Sequence, residues 1–302
     1  MALCLSVIKY IKKREYDSII VANPFTPTGM IAIQYMKMLG IRYYTEGDGG
    51  FPGKKHFVKD LIKQYIYHNA VGYFSTSQKH DECFLEHGVK PEKLIRYPFS
   101  SVFERDVLSQ IPSDKEKKER KKALGIQEDK IVVAVGQMIP RKGFDILLKA
   151  WVAENKNFGL YLIGGKPTDE YIRIVEQNDL HSVHFLDFKS REELLNYYKA
   201  AELFVLPTRE DVWGLVINEA MACGLPIIST NRCNAALEMI RDGVNGFIIN
   251  CNDVELLTEK IKLIMSDDTL REKMAIESLC VAHDFTLEKM AERHIAVLST
   301  II

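Results

Sequence analysis

The sequence predicts an α/β protein made of two doubly wound domains on parallel sheets. Three observations carry that expectation. At 302 residues the chain is long for one ordinary compact domain and suits two. From Ile131 onward, short β-rich runs alternate with amphipathic stretches, the pattern of βαβ units on a parallel sheet. The strand candidates are nearly continuous apolar runs, as expected where helices cover both faces of a sheet.

Taken in order, the first hundred residues offer an opening helix ALCLSVIKYIKKR, strand SIIVA and helix TGMIAIQYMKMLG. Strand IRYYTE, helix HFVKDLIKQYIYHNA, strand GYFST and a short LIRYP follow. This is a smaller α/β domain, expected over residues 1–107. Ser113 to Lys122, SDKEKKERKK, carries six positive and three negative charges and no apolar residue, so residues 108–128 are expected to be a solvated linker or linker helix. The second domain, residues 129–285, reads IVVAVG, KGFDILLKAWV, LYLIGG, TDEYIRIVEQ, VHFLDF, REELLNYYKAA, LFVLP, GLVINEAMACG and PIIST. Residues 286–302 are expected to form a helix that packs back toward the first domain. No repeat of solenoid period is present.

Composition narrows the function. A chain 47% hydrophobic and 27% charged can bury a large core, which excludes disorder as its main state. Forty Lys and Arg against 41 Asp and Glu give no basic excess for a phosphate backbone, which argues against nucleic acid as a partner. Up to Val107 the count is fifteen against eleven, a small excess that fits scattered solvated charge better than attraction to an anionic membrane surface. The six cysteines form no C-x-x-C pair and no zinc-like cluster, so neither a disulfide framework nor a structural metal is indicated, and a reducing cytoplasm fits. No apolar run approaches the ~20 residues of a membrane span, and Met1 to Arg14 places its charges after its apolar stretch, unlike a signal peptide.

Ligands of open α/β sheets bind beyond the carboxyl ends of the strands, so the loops leaving the strands are the candidates. The first, Gly136 to Gly143, sets Arg141 and Lys142 before a helix, where dipole and charge together favour an anion. Exposed Arg-Lys in a loop is also commonly just solvated. The second, Thr208 to Gly214, precedes a helix that is apolar almost all round except for Asn218 and Glu219. A carboxylate there needs partners, and a pair of ligand hydroxyls would serve. The backbone N–H groups of Trp213, Gly214 and Leu215 at that helix start suit a phosphate. Asp211 capping the helix and Glu219 pairing with a nearby cation are the structural alternatives. In the third loop, Gly164 and Gly165 permit close backbone approach to a ligand or simply make a tight turn.

PTREDVWGLVINEAMACGLPII (207–228) resembles the signature of glycosyltransferase family 4, the glycosyl transferases group 1, in which two acids eight apart flank an aromatic-Gly pair. VGQMIPRKGFDILLKAW resembles that family's donor-phosphate loop, and LEMIRDGVNGFII its later segment around Glu238. The resemblance covers residues 129–285 closely and the first domain loosely. It implies a GT-B fold, two Rossmann-like domains facing a cleft, with the first one incomplete.

It also implies a retaining, metal-independent transfer of a sugar, a hexosyl group by preference, from a nucleoside diphosphate sugar to a glycan or lipid-linked acceptor, without a cofactor. The setting would be surface polysaccharide or glycolipid synthesis in the cytoplasm or at the inner face of the membrane. Asp211, Arg141 and Lys142 would be catalytic. Gly136, Gln137, Gly164, Phe188, Val212, Trp213, Gly214, Leu215 and Glu219 would contact the donor.

Three departures stand out. Asp211 occupies a position where the family usually has Glu, and Gln137 one where it usually has Arg. The turn Thr45-Glu46-Gly47-Asp48-Gly49-Gly50 lies where a histidine often sits near the reacting sugar, so Glu46 or Asp48 would take an acceptor-side role unless this is an ordinary turn. The short first domain leaves open a non-catalytic sugar-nucleotide-binding or regulatory subunit, and predicts an exposed surface that seeks a membrane, a partner chain or a second copy.

Overall fold

The computed structural model describes residues 3–13, 15–53, 56–152 and 158–299. Ala2 and Arg14 of the expected opening helix, and residues 300–302 of the expected last one, lie outside the described residues.

The chain divides into two compact units, one running to Phe99 and resuming at Lys289, the other Ser100–Glu288. In the first, α1 (Val7–Lys13), β1 (Ile20–Ala22), α2 (Pro27–Met38), β2 (Tyr44–Glu46), α3 (Phe57–Tyr67), β3 (Tyr73–Ser75), α4 (Gln78–Leu85) and β4 (Leu94–Arg96) build a parallel sheet of order β1-β2-β3-β4. Thr26 caps α2 by accepting from Gly29 N, with Pro27 in the first turn where its missing N–H costs nothing. Successive side chains of a strand leave opposite faces. Tyr43 and Tyr73 accordingly join Ile33, Met36, Ile66 and Phe84 in one core, while Tyr44 and Phe74 join Tyr97 in another.

The second unit holds α5 (Asp114–Ala123), β5 (Lys130–Val135), α6 (Phe144–Val152), β6 (Phe158–Ile163), α7 (Asp169–Gln177), β7 (Val183–Leu186), α8 (Arg191–Ala200), β8 (Leu203–Leu206), α9 (Leu215–Ala222), β9 (Ile227–Thr230), α10 (Asn234–Met239), β10 (Gly246–Ile249), α11 (Val254–Ser266) and α12 (Asp268–Ala282). Its six parallel strands lie in the order β10-β9-β8-β5-β6-β7. Central strands buried on both faces must be apolar throughout, and β8 is buried at every residue. After β5 the chain first builds toward β7 and then returns to the other side of β5, so the strand order reverses between β5 and β8. That reversal is a topological switch point, where the loops leaving the two strands diverge and open a crevice.

The last helix, α13 (Leu287–Ser299), packs Met290, Val297 and Leu298 on the Tyr44, Phe74 and Tyr97 cluster of the first unit. The first unit therefore ends at Phe99 rather than at the expected 107. Ser100 Oγ donates to the Phe285 carbonyl (2.7 Å) and Leu287 N donates to the Val102 carbonyl (2.8 Å), which tie residues 100–102 to the second unit.

The charged stretch expected as a solvated linker also belongs there. Ser113 and Glu116 form a reciprocal capping box that starts α5. Lys121 is buried, 2.9 Å from Glu202, whose other oxygen accepts from Ile131 N at 2.7 Å. A buried lysine is tolerable only with such a partner, and sequence distance hid the partner.

Candidate functional site

The switch point gathers the expected donor residues. Two glycines let the backbones meet. A Cβ on Gly143 (φ 71°) would sit 2.1 Å from the Pro207 carbonyl oxygen, and one on Gly164 (φ 142°) would sit 2.2 Å from the Gly136 carbonyl oxygen. Both approaches are closed to every other residue. The β5 loop, Gly136 to Gly143, is thereby wedged between the loops that follow β6 and β8.

Side chains lock that arrangement. The Arg141 carbonyl accepts from Thr208 Oγ1 (3.0 Å) and Arg209 N (2.8 Å). The Arg209 guanidinium grips both oxygens of Asp145 at 2.7 Å and donates to the Pro140 carbonyl and to Asn252 Oδ1. Burial pushes the Asp145 carboxyl up, but the Arg209 bonds outweigh it and hold it below the usual carboxylate range. Sequence reasoning missed this clamp, although a carboxylate in the otherwise apolar start of α6, FDILLKAWV, was a usable signal.

Held in this way, Lys142 Nζ lies 2.5 Å from Asp211 Oδ2, with both side chains largely buried. The Arg141 guanidinium is half exposed, donates to the Glu210 carbonyl at 2.7 Å, and stands 3.9 Å from Asp211 Oδ1. The three residues expected to be catalytic therefore meet at one point. Asp211 does not cap the following helix. Its backbone is pinned instead, with Asp211 N donating to the Arg232 carbonyl at 2.8 Å.

Helix α9 starts at Gly214 (φ 108°), with no side chain capping its first turn. Its leading N–H groups are those suited to an anion. Trp213 is buried, its indole N–H donating to Asn218 Oδ1 at 2.8 Å, so it shapes the loop from beneath, while Val212 and Leu215 remain exposed.

One turn further along α9, Glu219 accepts from the Tyr198 hydroxyl at 3.2 Å, and no cation stands within ion-pair distance of it among the described residues. Burial pushes the Glu219 carboxyl up, opposed by the tyrosine bond. Tyr198 was not foreseen. Gln137 is exposed, and Gly164 N donates to the Leu186 carbonyl (3.0 Å), which brings the β6 loop beside the segment that leads into Phe188, 81% exposed.

The acceptor-side pair lies in the first unit. A cavity of about 220 Å³ opens at the carboxyl ends of β1 and β2, lined among others by Asn23, Thr45, Glu46, Asp48 and His80. Glu46 is largely occupied. Its Oε1 lies 3.1 Å from His294 Nε2, whose ring stacks on Phe74 at 4.3 Å. Asp48 stays exposed at the rim. His80, to which the sequence gave no role, is buried here with its pKa lowered to about 4 by burial, so it is neutral at pH 7. Thr45 Oγ1 is buried with no hydrogen-bond partner among the described residues.

Residues 115–278 match the family described as glycosyl transferases group 1. This chain belongs to that family.

An uncharacterized glycosyltransferase of Haemophilus influenzae is 28% identical over 183 residues, 59% of this chain and 51% of the relative. A D-inositol 3-phosphate glycosyltransferase of Corynebacterium diphtheriae is 27% identical over 186 residues, 57% of this chain and 43% of the relative. The chain thus spans about half the length of the curated relatives it matches. Among solved structures, Anabaena HepE in complex with UDP aligns with 97% of this chain and 82% of its own, at a TM-score of 0.84 and 18% identity. Sucrose-phosphate synthase of Thermosynechococcus elongatus aligns with 98% of this chain and 76% of its own, at 0.79 and 20%. With its two parallel-sheet units, this group 1 glycosyl transferase has the GT-B fold.

Proposed function

We propose that the chain transfers a sugar, with retention at the anomeric carbon, from a nucleoside diphosphate sugar to a hydroxyl of a glycan or lipid-linked acceptor. The observation that carries this reading is the meeting of Arg141, Lys142 and Asp211 at the switch point, beside the uncapped start of α9. Two cations and the backbone N–H groups of a helix start that no side chain caps stabilise charge that grows on a departing diphosphate, and donors placed before the reaction cost no reorganisation during it. Glu219 accepts the ribose hydroxyls, which replace the missing cation. Asp211 contacts the donor sugar, and its pairing with Lys142 fixes the carboxylate despite the side chain being one methylene shorter than Glu.

The bond from the anomeric carbon to the diphosphate breaks and a bond to the acceptor oxygen forms. The acceptor proton passes to the leaving phosphate, so no separate base is needed. Phe188 offers an exposed ring face to the nucleotide base, and the first unit's cavity, with Asp48 at its rim, receives the acceptor. Neither step calls for a metal or a cofactor.

Among the described residues no helix is long and apolar enough to cross a membrane. All six cysteines are free, which supports a reducing compartment and hence the cytoplasmic side of surface glycan or glycolipid synthesis. The test is incubation of the purified chain with a panel of labelled sugar nucleotides, with and without membrane extract. Transfer or donor hydrolysis supports the reading, tight binding without turnover identifies a sugar-nucleotide-binding subunit, and absence of nucleotide binding refutes both.

A further inference from the structure

The end of the second sheet opposite to the donor loops carries a cavity of its own. It has a volume of about 920 Å³, is floored by the starts of β5, β8 and β9 at Lys130, Glu202 and Pro226, and is walled by α5 and α12. Small-molecule sites have volumes of roughly 300–1,000 Å³. The six residues of β5 set this floor about 16 Å from Gly136, so the cavity is separate from the donor residues. Residues four apart share a helix face. In α5 that spacing puts Lys117 and Lys121 together on the lining, with Lys118 and Lys122 beside them at the exposed rim.

Six cations and six acids line the cavity, but burial sorts them. Asp114, Asp129, Asp268 and Glu272 are exposed, where water solvates their charge. Glu128 is held by His184 (2.6 Å) and by the Tyr161 hydroxyl (2.8 Å). The remaining acid, Glu202, is buried and already used, its Oε1 accepting from Lys121 Nζ at 2.9 Å and its Oε2 from Ile131 N at 2.7 Å. Lys117 Nζ stays 3.8 Å from that same Oε1, and among the described residues it makes no hydrogen bond although its side chain is only 17% exposed. Burial lowers the Lys117 pKa, Glu202 opposes that shift, and Arg271 and Lys121 add to it as neighbouring like charges. Three largely buried cations, Lys117, Lys121 and Arg271, thus surround one buried carboxylate. An ammonium kept from water without its own acceptor is costly, and an anion in the cavity would offset that cost.

We propose that this cavity binds a phosphate group, free or as the monoester of a small organic molecule, with Lys117 as its principal donor and Lys121 and Arg271 adding to the positive field. A phosphate dianion brings several acceptor oxygens to converging cations, and its hydrogen bonds to ammonium groups are charge-assisted. Ile111, Ile126, Pro226 and Ala275 give the lining an apolar part that suits the organic portion of an ester. The inference is independent of the transferase reading.

Amine acetylation of the full chain, read residue by residue by mass spectrometry at matched ionic strength, tests it because Lys117 and Lys142 are followed separately. Phenyl phosphate should slow acetylation of Lys117 at least fivefold, and phenol should not. Inorganic phosphate should protect only at higher concentration if the ligand is an ester, and at the same concentration if it is free phosphate. In calorimetry, Lys117→Gln should bind phenyl phosphate at least tenfold more weakly than the unmodified chain, with unchanged thermal melting because Glu202 keeps Lys121 and Ile131 N. Failure of both phosphates to protect Lys117, or unchanged affinity in a folded Lys117→Gln variant, overturns the proposal. Protection of Lys142 without Lys117 also overturns it, since the anion would then belong to the donor loop.

Discussion

Glu219→Gln separates a binding residue from a structural one, because the two roles predict opposite effects on stability. Burial raises the Glu219 carboxyl above its ordinary value of 4.5. A carboxyl whose folded pKa is raised contributes stability below its unfolded pKa, and that contribution is lost as pH rises through the folded pKa. At pH 7 the charge is therefore a burden on the folded state, with the Tyr198 hydroxyl as its hydrogen-bond partner. Removing it should leave the melting temperature at pH 7 unchanged or higher, and should flatten the loss of stability above pH 4.5.

Nucleotide binding should move the other way. If two ribose hydroxyls donate to this carboxylate, losing its charge costs about 1.5–3 kcal/mol, a roughly tenfold to hundredfold weaker Kd. For the same reason, affinity in the unmodified chain should rise with pH as Glu219 ionises. Calorimetric titration of a nucleoside diphosphate, paired with thermal melts across pH, reads both effects. A folded variant with unchanged affinity, or one that melts well below the parent at pH 7, would refute the assignment.

Other outcomes follow from the same geometry. Arg141→Ala and Lys142→Ala should each lower kcat by roughly a hundredfold while changing donor KM less, because they act on charge formed in the transition state; a double variant with normal kcat would show that the pair only anchors Asp211 and the loop and does not act on the leaving group. Arg209→Lys keeps the charge but loses the two-pronged grip on Asp145, and should cost about 1–3 kcal/mol at pH 7. Asp145 has a depressed folded pKa, so this cost should shrink as pH falls below 3.8, and a pH-independent difference in chemical denaturation would rule the account out.

For the Glu46–His294 pair, burial opposes both charges, yet their mutual bond lowers the first pKa and raises the second. The stabilisation should therefore be largest at mildly acidic pH. It should be lost as pH falls through the depressed Glu46 value, and lost again as pH rises past 6.5 through the raised His294 value. His294→Phe keeps the stack on Phe74 and should flatten this profile, costing about 1.5–3 kcal/mol within the window. An unchanged profile would mean that the pair carries no net stability.

The sequence by itself determined the alternation of elements, because an apolar run such as LFVLP has one low-energy use, a strand covered on both faces. It also determined the spacing of Asp211 and Glu219 around Trp213 and Gly214, since backbone needs and ligand chemistry at a helix start are local. The tertiary structure decided what depends on residues far apart in the chain. Lys121 reads as solvent-exposed charge until Glu202 closes over it, and Glu46 reads as a turn carboxylate until His294, 248 residues away, takes one of its oxygens. Phe57, Leu61 and Tyr65 of α3 are exposed although their spacing is that of a core-facing helix, because periodicity fixes that a helix has an apolar side, whereas only packing fixes which way that side turns. Arg209 likewise became a clamp only when the switch point brought Asp145 and the Pro140 carbonyl within its reach, for a hydrogen-bonding fork has no partner until the fold supplies one.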